Sequence, residues 1–428
     1  VSTRNRELLF LLPAVMLIAV GYAMLWARQA ERFELASLAP GAVFLGLFGL
    51  VHVCRRVIAP YADPYLLPIT ALLSSLGILM IYRIDPALAR QQALWLMVGL
   101  VVFVFVLVGV RRYRRLADYK YLIGLAGLGL LVLTMVVGRE VYGARLWIRM
   151  GPIGFQPPEF AKLFLVVFFA AYLDQVRELL TVSTRRILGI ALPPFRYLAP
   201  LLTIWGLGLL LMIFLKDLGT SLLFFCTLLA IMYVATGRPL YVVVGLSLFA
   251  AGAAVLYQLF PHVQLRVDIW LDPWQDTLGR GYQIVQSLFA FAAGGLFGRG
   301  IGEGYLLTMG GATIIPALET DFIFAAIGEE LGLFGAAALV LLYLIFVQRG
   351  LRVAVRARDD FTTLLATGLT VVFGLQTFLI LGGVTKLIPL TGITLPFVSY
   401  GGSSIVANFG LLALLLLASD GAERGEEA

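Results

Sequence analysis

Five groups of polar residues stand out for types and spacings that could do chemistry. The first is Trp270-Leu271-Asp272-Pro273-Trp274-Gln275-Asp276, followed by Gly281-Tyr282-Gln283-Ile284-Val285-Gln286-Ser287. Two carboxylates four residues apart, flanked by indoles that can seat the loop at headgroup level, would present acid groups to a lipid-borne substrate. An equal reading makes Asp272-Pro273 a turn and Asp276 a cap for the segment that follows; Asp268 is a third acid nearby. The second group is Gln156-Pro157-Pro158-Glu159-Phe160-Ala161-Lys162, in which Glu159 and Lys162 are close enough on one helix face to pair, either as a structural lock or as the lining of a cavity. Upstream, Arg145 and Arg149, with Trp147 between them, either offer cations to a phosphate or sit in the headgroup layer. The third is Lys216-Asp217-Leu218-Gly219-Thr220-Ser221, and the fourth is Thr320-Asp321-Phe322 with Glu329-Glu330 beyond it. Asp217 and Asp321 read most simply as helix caps, whereas two glutamates deep in an apolar run need partners or water. The fifth is the irregular stretch Pro389 to Ser404, a type of backbone tolerated at membrane depth only under protein or beside a water-filled cavity.

The elements that must position these groups are membrane helices. Of 428 residues, 61% are hydrophobic and 13% charged, about half the roughly 25% charge of a soluble domain. Runs long enough to span a bilayer recur near 8–26, 38–54, 65–82, 93–110, 120–137, 160–175, 198–215, 217–236, 239–259, 320–347, 362–384 and 403–418. Twelve spans predict an all-α polytopic membrane protein. The first is expected to be retained rather than cleaved as a signal peptide, its apolar core being too long. Counting Lys and Arg on alternate sides gives nineteen against twelve, which by the positive-inside rule puts both termini in the cytoplasm. The net charge of +7 is therefore topogenic and does not point to nucleic acid. Two connections on the outer side are long, about 138–159 and 260–319, with a short helix expected over Ser287–Phe297, lying at the membrane interface or re-entering it. The glycines from Gly294 to Gly304 do not fit a nucleotide-binding register. Two cysteines, Cys54 and Cys226, and two histidines suggest neither a disulfide framework nor a zinc site.

In this order the motifs GARLWI, QPPEFAK, KDLGTS, WLDPWQD with GYQIVQS, TDFIFA with GEELG, and TGITLPFVSYGGSS closely resemble the SEDS family of bacterial cell-wall proteins, RodA and FtsW. The resemblance runs from about Asp63 to the end of the chain. It implies two extra N-terminal helices over 1–62, similar to those of actinobacterial-type RodA proteins, a ten-helix core over 63–418 containing the large loop 260–319, and a cytoplasmic tail over 419–428. Pro158, Lys216 and Leu146 depart from residues frequent in the family, the last touching on the details of phosphate contact.

What the resemblance implies is a peptidoglycan glycosyltransferase that polymerises lipid II outside the cytoplasmic membrane for cell elongation, beside a class B penicillin-binding protein that crosslinks the strands. The family's catalytic carboxylate falls on Asp276, either as the base for an acceptor hydroxyl or as the ligand of a divalent cation such as Mg2+ or Mn2+. Substrate contacts are expected from Arg145, Trp147, Arg149, Glu159, Lys162, Asp217, Gln283, Gln286, Ser287, Asp321, Lys386, Thr394, Ser399 and Ser403. The competing readings are a lipid II flippase, a non-catalytic scaffold for the crosslinking enzyme, and a division-type FtsW.

Overall fold

A computed structural model describes residues 3–30, 34–141, 144–151, 153–181, 185–187, 190–192, 195–306 and 313–424. Among them run fourteen α-helices: α1 (Thr3–Ala30), α2 (Ala39–Ile58), α3 (Leu66–Ile84), α4 (Pro86–Gly109), α5 (Lys120–Val137), α6 (Pro157–Thr181), α7 (Phe195–Phe214), α8 (Leu218–Thr236), α9 (Pro239–Leu259), α10 (Pro261–Leu271), α11 (Tyr282–Gly294), α12 (Ile323–Arg356), α13 (Asp360–Val384) and α14 (Gly402–Glu423). Eleven are long and apolar enough to cross a bilayer. The remaining predicted span, α6, has 25 residues, about 37 Å at 1.5 Å per residue. It is less apolar because Glu159 and Lys162 sit at one end and Asp174, Arg177 and Glu178 at the other. Helices α10 and α11 are the short ones, and both lie in the longer connection.

Local chemistry sets several helix ends. Asp85 caps α4 by accepting from Ala87 N at 2.7 Å, with Pro86 in the first turn. Asp359 caps α13 through Thr362 N at 2.9 Å, and Gly237 closes α8 in the left-handed region. Helix α12 breaks at Gly332 (φ 67°, ψ −168°). There the carbonyls of Glu329 and Glu330 accept from Arg299 N (3.1 Å) and Gly300 N (2.9 Å), while Leu333 N and Phe334 N donate back to Gly295 O and Leu296 O. The glycine-rich run after α11 is thus the partner of a broken helix. A Cβ on Gly294 would lie 2.0 Å from Gly328 O, so the close approach requires glycine.

Helix α14 is the axis of the bundle, buried along its whole spanning stretch and packed by α4, α6, α12 and α13. Helix α9, at the other extreme, is almost bare, as an apolar helix facing lipid should be. The chain connections at one end of the bundle form a basic face: Tyr113 bonds Thr362, Arg114 pairs with Asp359, Arg177 with Asp360, Arg349 with Asp63 and Arg356 with Glu423. The five polar groups lie towards the opposite end. There the connection expected as a loop near 138–159 is a three-stranded antiparallel sheet of β1 (Arg139–Val141), β2 (Ala144–Met150) and β3 (Ile153–Phe155). The short helix expected over 287–297 starts five residues earlier than predicted, at Tyr282, and ends at Gly294, because Gly295 (φ 54°) turns the chain into the broken helix. A two-stranded hairpin, β4 (Arg185–Ile187) with β5 (Ile190–Leu192), follows α6.

Candidate active site

Prolines 157 and 158 start α6 with φ already set for a helix, which carries Glu159 in the first turn and Lys162 one turn on. The predicted pair forms: Lys162 Nζ donates to Glu159 Oε2 at 2.7 Å. Lys162 is only 1% exposed, so its ammonium needs more than one partner, and Gln376 Oε1 of α13 supplies the second at 2.7 Å. The network continues outward. Gln376 Nε2 donates to Thr394 O (2.8 Å), Thr394 Oγ1 bonds Ser404 Oγ (2.7 Å), and Asn408 Nδ2 donates to Ser404 O (2.9 Å). Ser403 Oγ accepts from Gln156 N at 2.9 Å. The irregular stretch before α14 is therefore held from within by Gln376 of α13, itself fixed by Lys162 of α6, and by Ser404 of α14.

Ser399 fastens the same stretch from the other side, donating to Thr320 O and accepting from Leu395 N. Gln92 of α4 donates to Ser399 O (3.2 Å) and accepts from Gly401 N (3.2 Å). A Cβ on Gly77 would come within 2.6 Å of Val398 O, which explains the small residue on α3 facing this turn.

The second cluster centres on a residue the sequence reading used only for topology, Arg266 of α10. Its guanidinium donates to Leu390 O (3.3 Å) and Thr391 O (3.0 Å) and lies between the charges of Asp217 and Asp321. Asp217 does cap α8, accepting from Thr220 N at 3.0 Å. The capping reading fails for Asp321: Phe322 holds that position in α12, without a side-chain bond. Burial raises the carboxyl of Asp217, an effect opposed by its bonds to Thr220 and reinforced by the nearby Glu159 carboxylate. Burial likewise pushes Asp321 up to about 6, against the pull of Thr320 and Arg266. Asp321 keeps part of its surface accessible while packed atoms enclose the carboxyl. The influence of Glu159 on Asp217 joins the two clusters into one polar region at the non-basic end of the bundle.

The acidic loop stands apart. Asp272 accepts from Trp274 N (3.1 Å) at the start of a 3-10 helix, Pro273–Asp276. Asp276 is exposed, and its Oδ2 accepts from Arg280 N at 3.0 Å, closing the turn before α11. Its second carboxylate oxygen has no hydrogen-bond partner among the described residues, where no hydrogen bond or ion pair links Asp276 to Glu159, Lys162, Asp217 or Asp321 either. The loop is nonetheless anchored. Trp270 Nε1 donates to Lys386 O (3.2 Å), Gln283 Nε2 to Pro316 O (2.9 Å) and Ser287 Oγ to Val384 O (3.1 Å). Gln286 is half-buried on α11. Lys386 sits in the left-handed region (φ 62°) just past α13.

Alternation along β2 sends Arg145, Trp147 and Arg149 to one face of the sheet. Both arginines are exposed, and Trp147 covers Gly154, where a Cβ would meet the indole at 2.9 Å. Arg145 N donates to Leu215 O (3.2 Å), tying this sheet to the α7–α8 turn that carries Asp217. Glu329 and Glu330, by contrast, are spent on structure. Glu329 accepts from Tyr305 N and Leu306 N, while Glu330 accepts from Gly302 N and pairs with Arg83 at 3.3 Å.

Among the described residues no group of three His, Cys, Asp or Glu could hold a metal by itself. A cation at Asp276 would take one protein carboxylate and complete its shell with substrate phosphate oxygens and water, a common arrangement for Mg2+. The exposed, half-used carboxylate fits that role.

Comparison with known proteins follows the same landmarks. A family model described as cell cycle protein, FtsW/RodA/SpoVE, matches residues 64–423. The peptidoglycan glycosyltransferase RodA of Mycobacterium tuberculosis (strain ATCC 25618 / H37Rv) is 47% identical over 99% of this chain and 92% of its own length. Stage V sporulation protein E of Bacillus subtilis (strain 168) is 34% identical over 83% of this chain and 96% of its own. Among solved structures, one described as "Structural coordination of polymerization and crosslinking by a peptidoglycan synthase complex" superposes with a TM-score of 0.69 at 31% identity, covering 84% of this chain and 97% of that one. The Thermus thermophilus rod shape determining protein RodA gives 0.57 at 28% identity, covering 84% and 96%. With matches of this extent over the motifs that build its polar region, the chain belongs to the FtsW/RodA/SpoVE family.

Proposed function

We propose that this chain is a peptidoglycan glycosyltransferase of the RodA type, polymerising lipid II into glycan strands on the outer face of the cytoplasmic membrane during elongation. The observation that carries the reading is the 45–47% identity to mycobacterial proteins named peptidoglycan glycosyltransferase RodA, over 97–99% of this chain. Proteins named FtsW reach 32–35% over 83–84%, so the division-type reading is not favoured.

In this reaction an acceptor sugar hydroxyl attacks an anomeric carbon and a diphosphate-linked lipid departs. Asp276 takes the hydroxyl proton, or would hold a divalent cation, which when bound would supply positive charge to the diphosphate leaving group. The exposure of its carboxylate supports either role. Arg145 and Arg149, exposed on one face of β2, offer guanidinium forks to phosphate oxygens beside Trp147. Glu159, Lys162, Asp217, Asp321, Thr394, Ser399 and Ser403, with Arg266, shape the polar floor beneath them, and Gln283, Gln286, Ser287 and Lys386 belong to its acidic-loop wall. In this scheme residues 1–62 are an added helical pair and the catalytic core starts at 63; the tail expected from 419 is still helix as far as Glu423, where α14 ends, and both termini are cytoplasmic. The partner is a class B penicillin-binding protein, a reading supported by the likeness to a chain from a synthase complex.

Buried charges inside a membrane bundle also suit a lipid II flippase, and a single experiment separates the two. Purified protein given lipid II in detergent, with no second leaflet, is expected to yield glycan chains. Lipid movement across vesicles without any polymer in detergent would overturn the glycosyltransferase reading in favour of transport.

A further inference from the structure

The basic face holds a feature that ion pairing does not explain. Between α4 and α5 the chain runs Arg111-Arg112-Tyr113-Arg114-Arg115, and these residues line a cavity of about 420 Å³ together with Ile58, Leu417, Asp420, Gly421 and Arg424. Arg114 is taken by Asp359 at 2.8 Å, and Arg424 by Asp420 at 2.7 Å. The single carboxylate in the wall, Asp420, is satisfied by Arg424 and by Tyr61 N at 2.9 Å. The guanidinium groups of Arg111, Arg112 and Arg115 have no ion-pair or hydrogen-bond partner among the described residues.

The rest of the wall is apolar or fixed. Tyr113 is buried, its hydroxyl bonded to Thr362 Oγ1 at 2.9 Å, and a Cβ at Gly421 would come within 2.5 Å of that hydroxyl, so glycine lets the ring seat here. Ile58 and Leu417 supply aliphatic surface at the ends of α2 and α14. A topogenic charge needs only to be on the correct side of the membrane. Three unpaired guanidiniums around a cavity with an aliphatic wall, at the level where spanning helices end, meet a further requirement: planar forks for a phosphodiester and an apolar wall for the chain attached to it.

We propose that this cavity is a binding site for the headgroup of an anionic phospholipid, with Arg111, Arg112 and Arg115 on the phosphate and the first acyl carbons against Ile58 and Leu417. The lipid is a resident of the leaflet at the basic face, separate from any substrate at the other end of the bundle. Basic pockets between spanning helices are a recurrent solution for such lipids.

Native mass spectrometry on the full chain, purified in detergent and titrated with phosphatidylglycerol or phosphatidylcholine, tests this directly. The wild type is expected to hold one phosphatidylglycerol in preference to phosphatidylcholine. Replacing all three residues (Arg111→Gln, Arg112→Gln, Arg115→Gln) should weaken that lipid about 10²-fold, from about 1 kcal/mol for each basic residue near an anionic surface, and leave phosphatidylcholine binding unchanged. The corresponding Arg→Lys triple keeps the topogenic charge and loses only the fork, so it should bind phosphatidylglycerol severalfold more weakly than wild type; this variant decides the matter if the Gln triple fails to fold. Equal binding of the two lipids by wild type, or undiminished phosphatidylglycerol binding in the Lys and Gln triples, would overturn the proposal. So would displacement of phosphatidylglycerol by equimolar inorganic phosphate.

Discussion

The carboxylates of Asp272 and Asp276, four residues apart, have been given different work by the backbone around them. Asp272 bonds Trp274 N in a turn where an asparagine oxygen serves nearly as well, whereas Asp276 keeps one oxygen outward. Asp276→Asn is expected to reduce polymerisation of lipid II by ~10²–10⁴-fold, the usual worth of a general base, while Asp272→Asn stays close to wild type. Measured initial rates in the reverse order would transfer the role to Asp272. Lys162 offers a stability test: removing its partner by Glu159→Ala leaves a buried ammonium held by Gln376 alone, at a cost of about 3–5 kcal/mol. Reversing both charges together should restore part of the thermal stability lost by either reversal, and equal loss in all three variants would argue against direct pairing. Asp321 gives a pH signature. Its folded carboxyl titrates near about 6 against 3.8 unfolded, so the folded state binds the proton more tightly across that window. Stability in detergent should therefore fall as pH rises from 3.8 to about 6, and Asp321→Asn should flatten that slope.

At the scale of elements, the most telling device is the break in α12. Gly332 occupies a backbone region essentially closed to other residues, and a Cβ there would lie 2.2 Å from Gly298 N. Gly332→Ala is expected to cost about 1–3 kcal/mol from the backbone alone, read as a lower thermal midpoint and faster proteolysis between α11 and α12. Long apolar runs made the spans legible in the sequence, and α6 was found despite its charged ends. The glycine-rich run was also visible as something other than a nucleotide loop. What it docks against was not, because the break at Gly332 depends on contacts with residues some thirty positions earlier. The sheet at 139–155 and α10 were missed for a related reason: short amphipathic segments at an interface lack the long apolar signal that marks a span.

For the whole molecule, the charge bias of the connections predicts the orientation. In a Cys54→Ser, Cys226→Ser background, a cysteine placed at Thr277 should react with an impermeant maleimide applied from outside, and one at Arg358 only after permeabilisation. Thr277 labelling that required permeabilisation would invert the proposed topology. Much of the polar region could be read in advance: Glu159–Lys162, Asp217 and Asp321 were picked out by type and spacing, and Thr394, Ser399 and Ser403 by the family resemblance of their irregular stretch. Arg266 was not. An arginine on an outer segment counts as one more topogenic charge until folding sets it between two aspartates from α8 and the start of α12, each more than forty residues away in sequence.

Helix α14 is enclosed on every side although thirteen helices precede it in the chain. During synthesis those helices enter the bilayer before the segment they are built to surround exists. The nascent bundle must therefore stay unlatched, with a lateral seam and an unfilled polar socket of Gln92, Gln156 and Thr394 waiting for Gly401, Ser403 and Ser404. A chain halted after α13 would accordingly lack the one helix that all the others surround, and would hold an open slot that an α14 segment supplied in trans could close.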